Sequence, residues 1–171
     1  MSMLSISIST LIALVFLRAF LHKIMAFQSF TGYVEDYRLM PLRLVQAVSV
    51  SIVVAELLVV ISQSLAAGRI FGLLLAAVLL FFYSCGISVN IKRGRSRIEC
   101  GCGGGAQALS WSLVMRNSIL IGLIAIAITQ QNLSLSILGN TVGVVGGISL
   151  WTLFLLGDQI IANSSMMVRV N

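Results

Sequence analysis

Cys100 and Cys102 are separated by a single glycine in this chain. Two thiols so close can close a small, strained disulfide ring, and Gly101 tolerates the backbone that such a ring demands. Strain raises the reduction potential, so such a ring passes its disulfide on readily. Arg93, Arg95 and Arg97 precede the pair in a glycine-rich stretch and favour thiolate over thiol. The third cysteine, Cys85, lies roughly 9 Å of helix before Ile91. It is a candidate resolving thiol, or else a small buried hydrophobe. A metal would need further ligands. His22 is the only histidine, and nothing completes a tetrahedral set, so no metal is assigned. An inert, purely structural disulfide is the remaining alternative.

Few other residues could carry chemistry. Glu56 stands well inside an apolar run, and an intramembrane carboxylate is a functional candidate by default. It is expected on the half away from the cysteine loop, either neutral or paired with Arg69, whose long side chain can snorkel toward it. Arg18, His22 and Lys23 close the first apolar run. Lys23 is expected to anchor at the headgroups, while Arg18 lies deeper and needs a carboxylate or backbone carbonyls. Arg116 and Asn117 open a later run, and Arg116 is expected to point back toward the thiols. There is no phosphate-binding glycine loop, no Ser/His/Asp set and no carboxylate pair suited to hydrolysis.

The elements that must position these residues are membrane helices. Only 9% of the 171 residues are charged, against about 25% in soluble domains. Mean hydropathy is +1.06. So few polar side chains cannot coat a water-facing globule. The reading is an all-α polytopic membrane helical bundle of four to five transmembrane helices, a single domain over 1–171. The helices are expected near 3–26, 42–65, 69–91, 112–129 and 138–162, with the cysteine loop at 92–111. Pro41 suits the first turn of the second helix. The 27–41 connector, with Tyr33 and Tyr37, suits the membrane interface. The fifth run is the weakest, since its glycines also suit a broken segment. Gly139, Gly143 and Gly147 recur every fourth residue, a spacing for close helix packing within the bundle or in a dimer. The first run lacks a charged leader and a small-residue cleavage site, so it is expected to stay as an anchor. Net charge is +6. The basic residues sit beside apolar runs, which makes them topology determinants on the lipid bilayer, with no nucleic-acid partner.

The pattern resembles the methylamine utilisation MauE family, within the wider DoxX-like group, over roughly residues 14 to 125. The resemblance rests on Arg18 with Lys23, on Tyr37-Arg38-Leu39-Met40-Pro41, and on Glu56. It rests above all on Asn90-Ile91-Lys92-Arg93-Gly94-Arg95 leading to Ile98-Glu99-Cys100-Gly101-Cys102-Gly103, and on Arg116-Asn117. Glu99 and Gly103-Gly104 stand where the family more often has Asp and an aromatic-Gly step. The resemblance implies a multi-pass protein of the cell inner membrane that supports maturation of the methylamine dehydrogenase β subunit. It implies thiol–disulfide exchange with a thioredoxin-like periplasmic protein. No cofactor is identified by any motif, and a quinone is a candidate final oxidant through analogy of layout alone.

Charge and chemistry point opposite ways for the cysteine loop. With five spans, that loop shares a face with Lys23, Arg38, Arg43 and the C-terminus, whereas the other face offers little beyond Arg69. Positive-inside bias places the loop in the cytoplasm. Disulfide donation to a periplasmic client places it outside. The rival readings are a small membrane transporter lined by Glu56 and Arg18, and a non-catalytic scaffold with structural cysteines.

Overall fold

The computed structural model describes residues 2–95, 109–130 and 137–170, with side chains except those of Ala66, Ile137 and 164–170. Among the described residues the chain is helical and has no strand. Six α-helices follow one another: α1 (Met3–Met25), α2 (Phe27–Asp36), α3 (Leu42–Ser64), α4 (Arg69–Lys92), α5 (Trp111–Thr129) and α6 (Ile137–Val170). A single 3₁₀ turn, Ala66–Gly68, joins α3 to α4. Five of these are long and apolar enough to cross a bilayer: α1, α3, α4, α5 and the Leu138–Asn163 part of α6. The protein is therefore a multi-pass membrane protein, and large apolar side chains such as Phe81, Phe82, Leu153 and Leu156 face outward as lipid contacts.

Local chemistry sets the helix ends. Ser2 Oγ accepts from the Ser5 N–H at 3.1 Å and caps α1. Pro41 stands at the N-cap of α3, one residue ahead of the expected first turn. Gly94 adopts φ +73° past the end of α4. There the Gly94 N–H donates to the Ile91 carbonyl and the Arg95 N–H to the Asn90 carbonyl, each at 3.0 Å. This is a Schellman motif, and glycine reaches its left-handed backbone without a Cβ clash. Two sequence expectations change. The 27–41 connector contains a ten-residue helix, and the fifth run is one continuous helix that extends past 162.

α1 is the central helix. Its serines allow close approach and bond to the neighbouring backbones: Ser5 Oγ donates to the Ala127 carbonyl at 3.0 Å and Ser7 Oγ to the Gly143 carbonyl at 2.9 Å. Gly143 and Gly147 face α1, because a Cβ at Gly143 would lie 2.8 Å from Ile6 and one at Gly147 would lie 2.7 Å from the Ser7 carbonyl. The glycine spacing thus serves packing inside the bundle. The Ser2 N–H donates to the Gln130 carbonyl at 3.2 Å, tying the start of α1 to the end of α5. The ends of α1, α4 and α6 and the starts of α3 and α5 accordingly share the opposite face. An apolar core of Ile8, Ile12, Phe16, Val59, Leu73 and Ile124 fills the half near Ser2. The buried ionic side chains gather beyond it, toward the face that carries α2.

Candidate functional site

Lys23 lies in the last turn of α1, where a lysine can usually reach the headgroups. The structure corrects that expectation. α2 folds back so that Phe30 covers the ammonium at 5.2 Å, and the Tyr83 ring lies at 5.6 Å on the other side. The lysine side chain is only 2% exposed, and Nζ lies 2.6 Å from Glu56 Oε1. The Tyr83 hydroxyl donates to that same oxygen at 2.9 Å. Glu56 sits about 21 Å along α3 from Leu42, at ~1.5 Å per residue, and is therefore deep in the span. Its described partners are Lys23 and Tyr83, not the expected Arg69.

The second cluster centres on Asp158 of α6. Arg18 Nη1 donates to Oδ2 at 3.1 Å, and Arg116 Nη1 donates to Oδ1. The deep Arg18 thus finds a carboxylate. Arg116 lies over the Phe154 ring at 5.6 Å, so its guanidinium contacts α6 through both Phe154 and Asp158.

Three cations and two carboxylates therefore meet in two adjoining groups. A cavity of about 30 Å³ lies between them, lined by Glu56, Tyr83, Arg18, Arg116 and Asn117. Glu56 Oε2, Arg116 Nε and Asn117 Nδ2 are buried and lack a described hydrogen-bond partner. One water needs about 10–15 Å³ and two to four polar partners, so the cavity suits water that joins the two clusters.

The segment that carries Cys100 and Cys102 is described only at its borders. Cys100, Cys102 and Arg97 lie outside the described residues. Arg93 donates from Nη1 to the Arg38 carbonyl at 3.4 Å, which ties the end of α4 to the end of α2. Arg95 contributes its backbone N–H to the α4 cap. Beyond the loop, Leu109 is 3% exposed and packs with Ile87 and Leu113, fixing the loop's second end on α4 and α5. Cys85 is a free thiol on the outer, lipid-facing side of α4. Among the described residues no group of three His, Cys, Asp or Glu is placed to hold a metal ion.

Sequence reasoning missed three members of this site. Tyr83 carried a signal, since a tyrosine inside an apolar run needs a partner for its hydroxyl. Asp158 gave no separate signal in the sequence, and α6 runs through it and places it within the span. Lys23 gave no such signal, because only the tertiary position of α2 buries it.

Five spans around a buried ionic centre, with a cysteine-bearing segment between α4 and α5, define a polytopic helical membrane protein with polar chemistry inside its bundle. The chain belongs to the methylamine utilisation protein MauE family, whose profile matches residues 1–130. It is similar to the methylamine utilization protein MauE of Paracoccus denitrificans, at 32% identity over 114 residues, 66% of this chain and 61% of the relative. It is also similar to that of Paracoccus versutus, at 35% identity over 119 residues, 68% of this chain and 64% of the relative. The similarity to that of Methylophilus methylotrophus is 34% over 94 residues, 55% of this chain and 50% of the relative. The chain therefore spans less than two thirds of the length of each of these relatives. No solved structure matches it. The family match contains Arg18, Lys23, Glu56, Tyr83 and Arg116 but ends before Asp158.

Proposed function

We propose that this protein supports maturation of the methylamine dehydrogenase β subunit at the cell inner membrane, by thiol–disulfide exchange with a thioredoxin-like periplasmic partner. Membership of the MauE family, together with the Cys100-Gly101-Cys102 sequence, carries the reading. In the exchange, a partner thiolate attacks the Cys100–Cys102 disulfide and a mixed disulfide forms. The partner's second thiolate then resolves it, leaving an oxidised partner and a dithiol on this chain. The capped end of α4 and the buried Leu109, which border the intervening segment, lie at one face. Arg93 and Arg95 stand at that border and supply positive charge.

The test is a trap. Cys100→Ser and Cys102→Ser variants are produced in a host that makes the dehydrogenase, and cells are quenched with acid and alkylated. A mixed disulfide between one remaining cysteine and a periplasmic thioredoxin-like protein is the expected result. Full maturation of the β subunit by both variants overturns the reading. If maturation survives the cysteine changes but is lost in Glu56→Gln, a transporter role replaces it.

A further inference from the structure

On the α2 side of Lys23 lies a second cavity, of about 310 Å³. That volume falls at the lower end of small-molecule sites, about 300–1,000 Å³. Its walls come from α1, α2, the α2–α3 connector, α3 and α4, and four aromatic rings line it: Phe30, Tyr37, Phe82 and Tyr83. The connector closes tightly on α4, because Gly86 leaves room for the Tyr37 ring where a Cβ would stand 3.3 Å away. Burial keeps the Tyr37 phenol protonated, well above the usual tyrosine range. The charged group in the lining is Lys23.

Lys23 selects what can enter. Its ammonium has three N–H donors, and one goes to Glu56. The Phe30 and Tyr83 rings lie against the ammonium as cation–π partners, and a ligand oxygen would take over an N–H now turned to one of these rings. A ligand carboxylate or phosphate would be repelled by the Glu56 carboxylate beside that ammonium, and a cation by the ammonium itself. A neutral carbonyl is the acceptor that fits. The aromatic walls favour a flat ring, and the setting between membrane spans favours a ligand that arrives through lipid.

We infer that this cavity binds the ring of a lipid-soluble quinone, with one ring carbonyl accepting from Lys23. The inference deepens the thiol–disulfide reading by naming the class of its oxidant. Closing the Cys100–Cys102 disulfide breaks two S–H bonds and releases two electrons and two protons. A quinone takes up both pairs, one proton on each oxygen, and leaves as the quinol.

The test is equilibrium binding of decylubiquinone to the full chain in lipid nanodiscs, with decylbenzene as the ring and tail without carbonyls. Decylubiquinone is expected to bind about tenfold or more tightly than decylbenzene. Ile52→Trp, which fills the cavity from α3, is expected to weaken decylubiquinone binding by about tenfold or more. The double variant Lys23→Met/Glu56→Met removes the donor without leaving a lone buried charge and is expected to bring decylubiquinone down to the affinity of decylbenzene. Equal binding of the two probes to the unchanged protein, or binding that Ile52→Trp does not weaken, overturns the site. Cys100→Ser/Cys102→Ser is expected to bind decylubiquinone unchanged, so loss of the redox reading in the maturation assay leaves this result standing by itself.

Discussion

Lys23 Nζ lies 2.6 Å from Glu56 Oε1, with the two side chains 2% and 0% exposed. The same carboxylate accepts from Tyr83, so one buried group joins α1, α3 and α4. Charges in hydrocarbon surroundings are costly to desolvate, and their mutual attraction offsets that cost only while both are present. Lys23→Met or Glu56→Met alone should therefore destabilise the bundle by about 3–5 kcal/mol, while Lys23→Met/Glu56→Met together should restore most of the loss. Thermal unfolding in one detergent, applied to all four proteins, measures this. Losses in the double variant equal to the sum of the singles would show that the pair does not act as a unit.

Asp158 plays the corresponding part for α1, α5 and α6. Removing its charge in Asp158→Asn leaves Arg18 and Arg116 side by side. Arg18 is 35% exposed and can relax outward, whereas Arg116 is only 14% exposed and cannot. The expected loss is about 2–3 kcal/mol, below that of a wholly buried pair because Arg18 is partly solvated. Adding Arg116→Gln should recover more of it than adding Arg18→Gln does. Equal recovery by the two would sink the assignment of Arg116 as the trapped charge. Unfolding midpoints of the three variants decide it.

The five spans were legible because length and apolarity directly encode a membrane crossing, and the end of α3 at Ser64 differs from its expected position by one residue. The cap at Gly94 is equally local, although the sequence reading did not single it out. α2 was not legible. Its ten residues carry too short a pattern to separate a surface helix from an interfacial coil, and its packing on α3 decides the matter. Lys23 was misplaced for the same reason, since a snorkelling lysine and a buried one look alike until Phe30 is put over the ammonium. Arg18 announced its need for a carboxylate by its depth, but Asp158 was too distant in sequence to be named. The proposed role of Cys100 and Cys102 rests on the sequence and on family membership.

Gly94 offers a local test of how the loop is launched. Its φ of +73° favours glycine strongly, and Ala there costs about 1 kcal/mol, largely by fraying the cap. In Gly94→Ala, amide hydrogen exchange at Gly94 and Arg95 should speed up while the middle of α4 stays protected. Unchanged exchange at both positions would mean that their hydrogen bonds do not hold the helix end.

The seam between α1 and α6 should be the most sensitive packing position outside the ionic centre. A Cβ at Gly147 would overlap the Thr10 side chain and come within 2.7 Å of the Ser7 carbonyl, which is backbone and cannot swing aside. Gly157 lies on the same helix with nothing within 4 Å of an added Cβ. Gly147→Leu should therefore push α6 away from α1, at a cost of about 1–3 kcal/mol for overpacking. Gly157→Ala should be neutral or up to about 1 kcal/mol stabilising, through helix propensity. Displacing α6 also draws Asp158 away from Arg18 and Arg116, so Gly147→Leu should make a further Asp158→Asn change cost less than it does alone. A double-mutant cycle on the unfolding midpoints measures that coupling. Strict additivity would mean that α6 can move at Gly147 without disturbing the carboxylate that both arginines share.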